Sequence, residues 1–373
     1  MDSTGLIKSG NHLSPMKKLF NDFFDRYFHD EESLILLILL AVGLLLLVLI
    51  GEILAPLIAA IVIAYLMQGL VNLFLRYGAS ARLAFFFVYT LFISLFAVML
   101  LYLLPRAWDQ LRLLANEIPK LLRDWQTTLV SLPENYPTLF SESQVETFID
   151  GFGGEVGGFG QRILEYSLAS LPNVFGWVIF LVLVPILVFF VMKDKDDLVL
   201  WAGNFLPRNR PLMIRIWKEM DEQISNYIRG KFIEVLIVGG AAYLLFIVLD
   251  MNYALLLSVL IGLSVIVPYI GATVVTVPVA AVAYVQWGVG SEFYTVMIAY
   301  LILQILDGNV LVPVIFSEAN DLHPVAIIAA VLVFGGIWGL AGVFFAIPLA
   351  TFIKAIVNAW PSRVQAKTPG LNE

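Results

Sequence analysis

The chain has 373 residues, of which 60% are hydrophobic and 14% charged, with a mean hydropathy of +0.89. About a quarter of a soluble chain is charged, so this composition describes an integral membrane protein. A net charge of −7 with no basic cluster interleaved with aromatics excludes a nucleic-acid partner, and the absence of cysteine excludes disulfides, thiol nucleophiles and thiolate metal sites.

Residues 1–32 read as a cytoplasmic amphipathic arm. Ser14 caps a helix that opens on Pro15, and Leu19, Phe20, Phe23, Phe24, Tyr27 and Phe28 form one stripe, with Lys17, Lys18 and Arg26 beside it. Such a helix lies on the bilayer or against the protein's own cytoplasmic segments. About thirty polar or amphipathic residues ahead of the first apolar run argue against a cleaved signal sequence.

Residues 33–104 carry three predicted spans, at 34–50, 53–73 and 83–104. A tight external turn is expected at 50–56. Arg76 and Arg82 place the next turn inside, which orients both termini toward the cytoplasm.

Residues 105–173 break the apolar pattern with nine acidic and five basic residues and read as a small helical extracytoplasmic insertion. Leu111, Leu114, Ile118, Leu121, Leu122, Trp125 and Leu129 recur at helical spacing, and Pro119 is expected to kink or divide that helix. The segment GFGGEVGGFG that follows lacks a phosphate-cradle pattern and reads as a tightly turning connector.

Residues 174–192 form a fourth span, and 193–231 a cytoplasmic amphipathic segment. In the latter, Met213, Trp217, Met220, Ile224 and Tyr227 make a narrow stripe suited to packing on the bundle or bilayer, or to subunit contact. Residues 232–357 hold about four further spans, at 232–249, 254–285, 293–316 and 324–357, giving about eight in all. Residues 358–373 are a cytoplasmic tail. The fold class is therefore all-α and polytopic.

The C-terminal half is irregular. Asp307, Gly308 and Asn309 interrupt an apolar run with Pro313 close behind; burying that aspartate against lipid costs roughly 2.5–3.5 kcal/mol, so a protected polar location is expected. SVIVPYIGATVVTVP adds Ser264, Pro268, Tyr269, Gly271, Thr273 and Thr276, and Gln304 lies one turn before the aspartate. These eleven residues are the pathway or gating candidates, on helices that are broken or re-entrant. Plainer roles stand beside that reading: prolines that only kink, Asn309 as a cap, Gln304 bonding a neighbouring helix. Gly335, Gly336, Gly339 and Gly342 read as helix packing. The three histidines are too scattered for a metal site, and no cofactor motif occurs.

With those residues in view, the chain resembles the autoinducer-2 exporter family, and within it the PerM-type permeases, over nearly its full length. The resemblance is carried by VPILVFFVMKDKD at 184–196, NYIRGK at 226–231, LSVIVPYIGATVVTVP at 263–278, LDGNVLVPVIFSE at 306–318, LHP at 322–324 and FGGIWGLAGVFFAIPLA at 334–350. It implies an eight-span, homo-oligomeric protein of the bacterial inner membrane, with the Pro268–Gly271 and Asp307–Asn309 regions functional. The implied activity is secondary transport, exporting a small polar solute or signalling molecule, with sodium or protons as coupling ions. A cation/proton antiporter, a channel and a non-transporting scaffold are the alternatives. No Walker A, HExxH or GxSxG motif supports ATP-driven transport or an enzyme.

Overall fold

The computed structural model describes residues 31–130, 174–208, 210–268, 270–316 and 322–359. The N-terminal arm, the glycine-rich connector, Tyr269 and the C-terminal tail lie outside them. The described residues are helical, and six helices are long and apolar enough to cross a membrane, with shorter apolar helices beside them. They fall into two compact units, one drawn from Ile53–Leu198 and Ile224–Asp321, the other from Met1–Glu52, Val199–Gln223 and Leu322–Glu373.

The first helix, α1, is Glu31–Arg76, and it passes through the expected turn at 50–56 with a single non-helical residue, Ile50 (φ −129°, ψ 17°). Pro56 is inside the helix. The larger unit begins just beyond that kink. Ala60, Ala64, Met67 and Val71 meet Ala84, Val88 and Phe92 of α2 (Ala81–Val98) and Val184 and Val188 of α4 (Val174–Lys193) in one core. The spacings of three and four put each set on one stripe. The opposite faces are as apolar as the stripes, with Leu83 70% and Val182 55% exposed, as helices surrounded by lipid require.

α2 continues through a π turn at Met99–Leu103 into α3 (Leu104–Val130). Pro105 has no N–H to give the preceding turn, and the register widens there, with the Leu104 amide reaching back to the Met99 carbonyl. Of the two forms expected around Pro119, one helix or two, α3 is the single one, unbroken to Val130. A proline within a helix removes one hydrogen bond; the neighbouring turns can carry the rest.

α6 (Pro211–Val248) also runs unbroken, past the expected boundary at 231. Its partner α7 (Ala254–Ser264) approaches so closely that a Cβ on Gly262 would lie 3.0 Å from the Val235 carbonyl and 3.2 Å from the Gly239 Cα. α7 then folds back on α8 (Ile270–Trp287): a Cβ on Gly271 would stand 1.8 Å from the Ser264 carbonyl oxygen. Residues 254–287 are thus a helical hairpin with Pro268 at its tip, the second of the two forms expected for this tract, broken or re-entrant. Leu257, Ile261, Val275, Val279 and Val282 zip its arms together, and Tyr300 of α9 (Ser291–Leu306) closes the core. At the other end of the hairpin, α3 holds the α6–α7 turn, since Gln110 Oε1 accepts from the Leu256 amide at 2.8 Å and Tyr253 bonds Glu117. Burial and that carboxylate push the Tyr253 phenol up to about 12, so it remains a donor throughout the physiological range.

In the smaller unit, Glu32 of α1 caps α6 by accepting the Met213 amide at 2.7 Å, and Arg210 donates to the Gly203 carbonyl at the end of α5 (Lys195–Gly203). α11 (Pro324–Ala359) reverses at Gly339, whose φ of 59° only glycine adopts freely. A Cβ on Gly342 would lie 1.8 Å from the Phe334 carbonyl oxygen, and Ala330, Val331 and Ala346 pack between the arms. Of the two forms expected here, it too takes the hairpin.

The carbonyl beside Gly271 leaves no room for a methyl group. Gly271→Ala is expected to lower stability by about 1–3 kcal/mol or more, whereas Gly240→Ala, with nothing within 4 Å of its Cβ, should be neutral. Thermal unfolding of the purified variants followed by size-exclusion chromatography measures both; equal melting curves would reject the hairpin contact.

Candidate functional site

The site begins with two residues of α6. Lys231 and Glu234 are one turn apart, only 6% and 2% exposed, with Nζ and Oε2 2.8 Å apart. The Gly239–Gly262 approach brings α7 alongside, so the tip of the hairpin ends at Lys231, which donates to the Val265 carbonyl at 2.8 Å. The last carbonyls of a helix have no intrahelical partner and carry partial negative charge, which suits an ammonium. From the other side comes the helix that follows α9. Gly230 makes room for Ile315 and Phe316 of α10 (Val312–Phe316), and the Phe316 ring faces the ammonium with its centroid 5.4 Å away.

Asp307 joins this group through a second π turn, Asp307–Leu311. Pro313 stands two residues past it, as Pro105 stands two residues past the first. The Val312 amide reaches the Asp307 carbonyl, and the Asn309 side-chain amide donates to the Ile305 carbonyl at 2.9 Å. The polar triplet therefore serves a widened turn in an otherwise continuous helix, not a break. The charge of Lys231 acts on Asp307, and Asp307 acts on Glu234. The Asp307 Oδ1 atom is buried with no hydrogen-bond partner among the described residues.

A second polar group lies between α8 and α9. The buried Tyr300 hydroxyl is 3.1 Å from Thr276 Oγ1 and 3.3 Å from the Ala272 carbonyl, and Gln304 Nε2 donates to it at 2.6 Å. Gln304 and Asp307 are three residues apart on one helix. Thr276 also returns a bond to Ala272, so this group is internally satisfied.

Among the predicted residues, Ser264, Pro268 and Gly271 gather at the hairpin tip, with Ser264 Oγ donating to the Ile261 carbonyl at 2.7 Å. Thr276 and Gln304 meet through Tyr300, and the charges of Lys231 and Glu234 interact with that of Asp307. Thr273, Gly308, Asn309 and Pro313 are on exposed faces. Gly335 and Gly342 sit between the arms of the α11 hairpin, Gly339 makes its turn, and Gly336 has open space around it. Among the described residues, no group of three or more potential ligands could hold a metal ion.

Sequence reasoning missed Lys231, Glu234 and Tyr300. Glu234 is visible as an acid inside the apolar run FIEVLIVGG, the same signal that singles out Asp307, but Lys231 reads in sequence as the edge of a cytoplasmic segment.

Comparison with known proteins adds an independent line. The model of the family described as "AI-2E family transporter" matches residues 34–362. The chain is 43% identical to the Escherichia coli strain K12 protein named "Putative permease PerM", over 93% of this chain and 98% of that one. It is 25% identical to the Bacillus subtilis "Putative transport protein YueF" over 80% and 82% of the two chains, and 23% identical to the Escherichia coli strain K12 "AI-2 transport protein TqsA" over 85% and 90%.

Removing the ammonium leaves Glu234 buried without its counter-charge. Lys231→Met is expected to cost about 3–5 kcal/mol, and adding Glu234→Gln should recover most of it. Denaturation of the single and double variants in detergent measures the coupling; a double variant as unstable as the sum of the singles would refute a direct pair.

Proposed function

We propose that this chain, which belongs to the AI-2E family of transporters, exports a small polar solute across the bacterial inner membrane by ion-coupled secondary transport. It is a multi-pass inner-membrane protein of a transporter class, not an enzyme. One observation carries the proposal: Lys231, Glu234 and Asp307 converge inside membrane-spanning helices, where the tip of a hairpin meets a π turn. Ionisable residues at such depth are costly and mark solute or ion routes, and short helical hairpins supply the carbonyls that line them. In this reading Thr276, Tyr300 and Gln304 extend the polar route from the cluster along α9. The relative named for AI-2 transport makes AI-2 the first solute to test.

The test is flux into proteoliposomes, with AI-2 and a panel of polar signalling metabolites and cations. Asp307→Asn keeps the side chain's size and should assemble normally while flux falls roughly tenfold, about 1.4 kcal/mol in the barrier. A well-assembled variant with unchanged flux, solute preference and sodium or pH dependence would reject the pathway.

We further propose that both termini are cytoplasmic, from the Lys and Arg bias around 17–26, 76–82 and 193–231. The bonds from α3 to the α6–α7 turn support a common side of the membrane for both, and the charge bias favours the external one. In this cysteine-free chain, Asn252→Cys should react with an impermeant maleimide on intact cells and Asp194→Cys only after permeabilisation. The reverse pattern would invert the topology.

A further inference from the structure

We propose that the Lys231, Glu234 and Asp307 cluster is a proton-binding site, in which two carboxylates and one ammonium hold one exchangeable proton between them. The first support is a count. Two acids and one base leave one negative charge in excess, inside helices whose outer faces are apolar. An uncompensated charge in such a place is expensive, and a carboxylate relieves the cost by taking up a proton.

The second support is geometric. An ammonium has three N–H donors. Lys231 is ion-paired with Glu234 at 2.8 Å, donates to the Val265 carbonyl at 2.8 Å and has the Phe316 ring centroid 5.4 Å away, so three elements draw its charge and none of these contacts is with Asp307. Among the described residues Asp307 Oδ1 and Glu234 Oε2 are both buried without a hydrogen bond, but Glu234 is ion-paired with the ammonium and Asp307 is not. Asp307 is thus the acid in surplus.

No other charged side chain acts on the cluster from the elements packed around it among the described residues. α6 contributes Lys231, Glu234 and the phenol of Tyr227, which feels Glu234; the hairpin tip offers a carbonyl, α10 a ring, and the π turn Asp307 alone. Arg229, on α6, is turned to Ser225 and Gly69. A metal cation fits poorly, because the ammonium already stands beside the carboxylates and would repel it, whereas a proton needs only one lone pair.

The cluster has two protonation patterns of the same total charge. While Lys231 pairs with Glu234, the proton is on Asp307; if Lys231 swings to Asp307, the Asp307 O–H bond breaks, an O–H bond forms on Glu234, and the total charge is unchanged. Use of that exchange as a coupling step rests on the transport reading. The proton count does not.

Infrared spectroscopy of the full chain in nanodiscs reads the count directly at neutral pH. Wild type should show a protonated-carboxyl stretch that shifts in D2O. Asp307→Asn and Glu234→Gln each leave one acid for one ammonium, so each should lose that band. Lys231→Met leaves two acids and no ammonium, and the band should about double. Absence of the band in wild type, or its persistence in both carboxyl variants, would overturn the proposal. If one carboxyl variant does not assemble, the other together with the wild-type band decides. Flux separates the two readings: the full spectral series without flux would reject transport and keep the proton site, and flux without the series would do the opposite.

Discussion

The ammonium of Lys231 is the point on which the larger unit turns. In a solvent that cannot hydrogen-bond, each charge and each freed backbone group has to be answered from within the protein. Lys231 answers three elements at once, through Glu234 on its own helix, the Val265 carbonyl at the hairpin tip and the Phe316 ring beyond the π turn. The two partners that come from other elements depend on small residues for access. Gly262 lets α7 lie against α6, Gly271 lets the hairpin close, and Gly230 admits Phe316. The energetics and the geometry are the same statement, because a bulkier residue at any of the three would move a partner away from a charge that cannot turn to water.

The two hairpins share a construction although they belong to separate units. In each, a glycine shortly after the reversal faces the backbone carbonyl of the descending arm, Gly271 against Ser264 and Gly342 against Phe334. In the first hairpin one arm is short: α7 has 11 residues, about 16 Å of helix, against the roughly 30 Å of a hydrocarbon core, whereas α8 has 18 and is among the six helices long enough to cross. If each hairpin enters and leaves on one side, the two together remove two of the four expected crossings, and the even parity that the charge bias at 193–231 and 354–367 favours is kept.

The class of protein, the apolar segments and the irregularity of the C-terminal half were legible in the sequence because lipid imposes a composition and tolerates breakers only where protein covers them. Asp307 was legible for the same reason. Glu234 carried an equal signal, yet its neighbour Lys231 resembled the last cation of a cytoplasmic loop, and one-dimensional charge counting cannot distinguish a loop cation from one buried in an unbroken α6. Hairpin and broken helix were indistinguishable too, since both are written with the same Pro and Gly punctuation; only the spacing between Ser264 and Gly271 in three dimensions separates them. Tyr300 was hidden more thoroughly, as one aromatic among many in an apolar helix, and its role comes from meeting Thr276 across two helices.

The π turn at Asp307–Leu311 also resets the angular phase of its helix. Sixteen positions separate Tyr300 from Phe316, and in an uninterrupted α-helix those residues would point about 160° apart. One residue absorbed by the wider turn winds the later segment back by about 100°, leaving an offset of about 60°. Tyr300 and Phe316 can then both be buried, at 0% and 7% exposure. The helix presents two seams in register with different neighbours, the earlier one matched to α8 and the later one to α6. A periodicity read across 291–316 averages those two phases and blurs both, which is why so ordered a segment looks featureless as a string of letters.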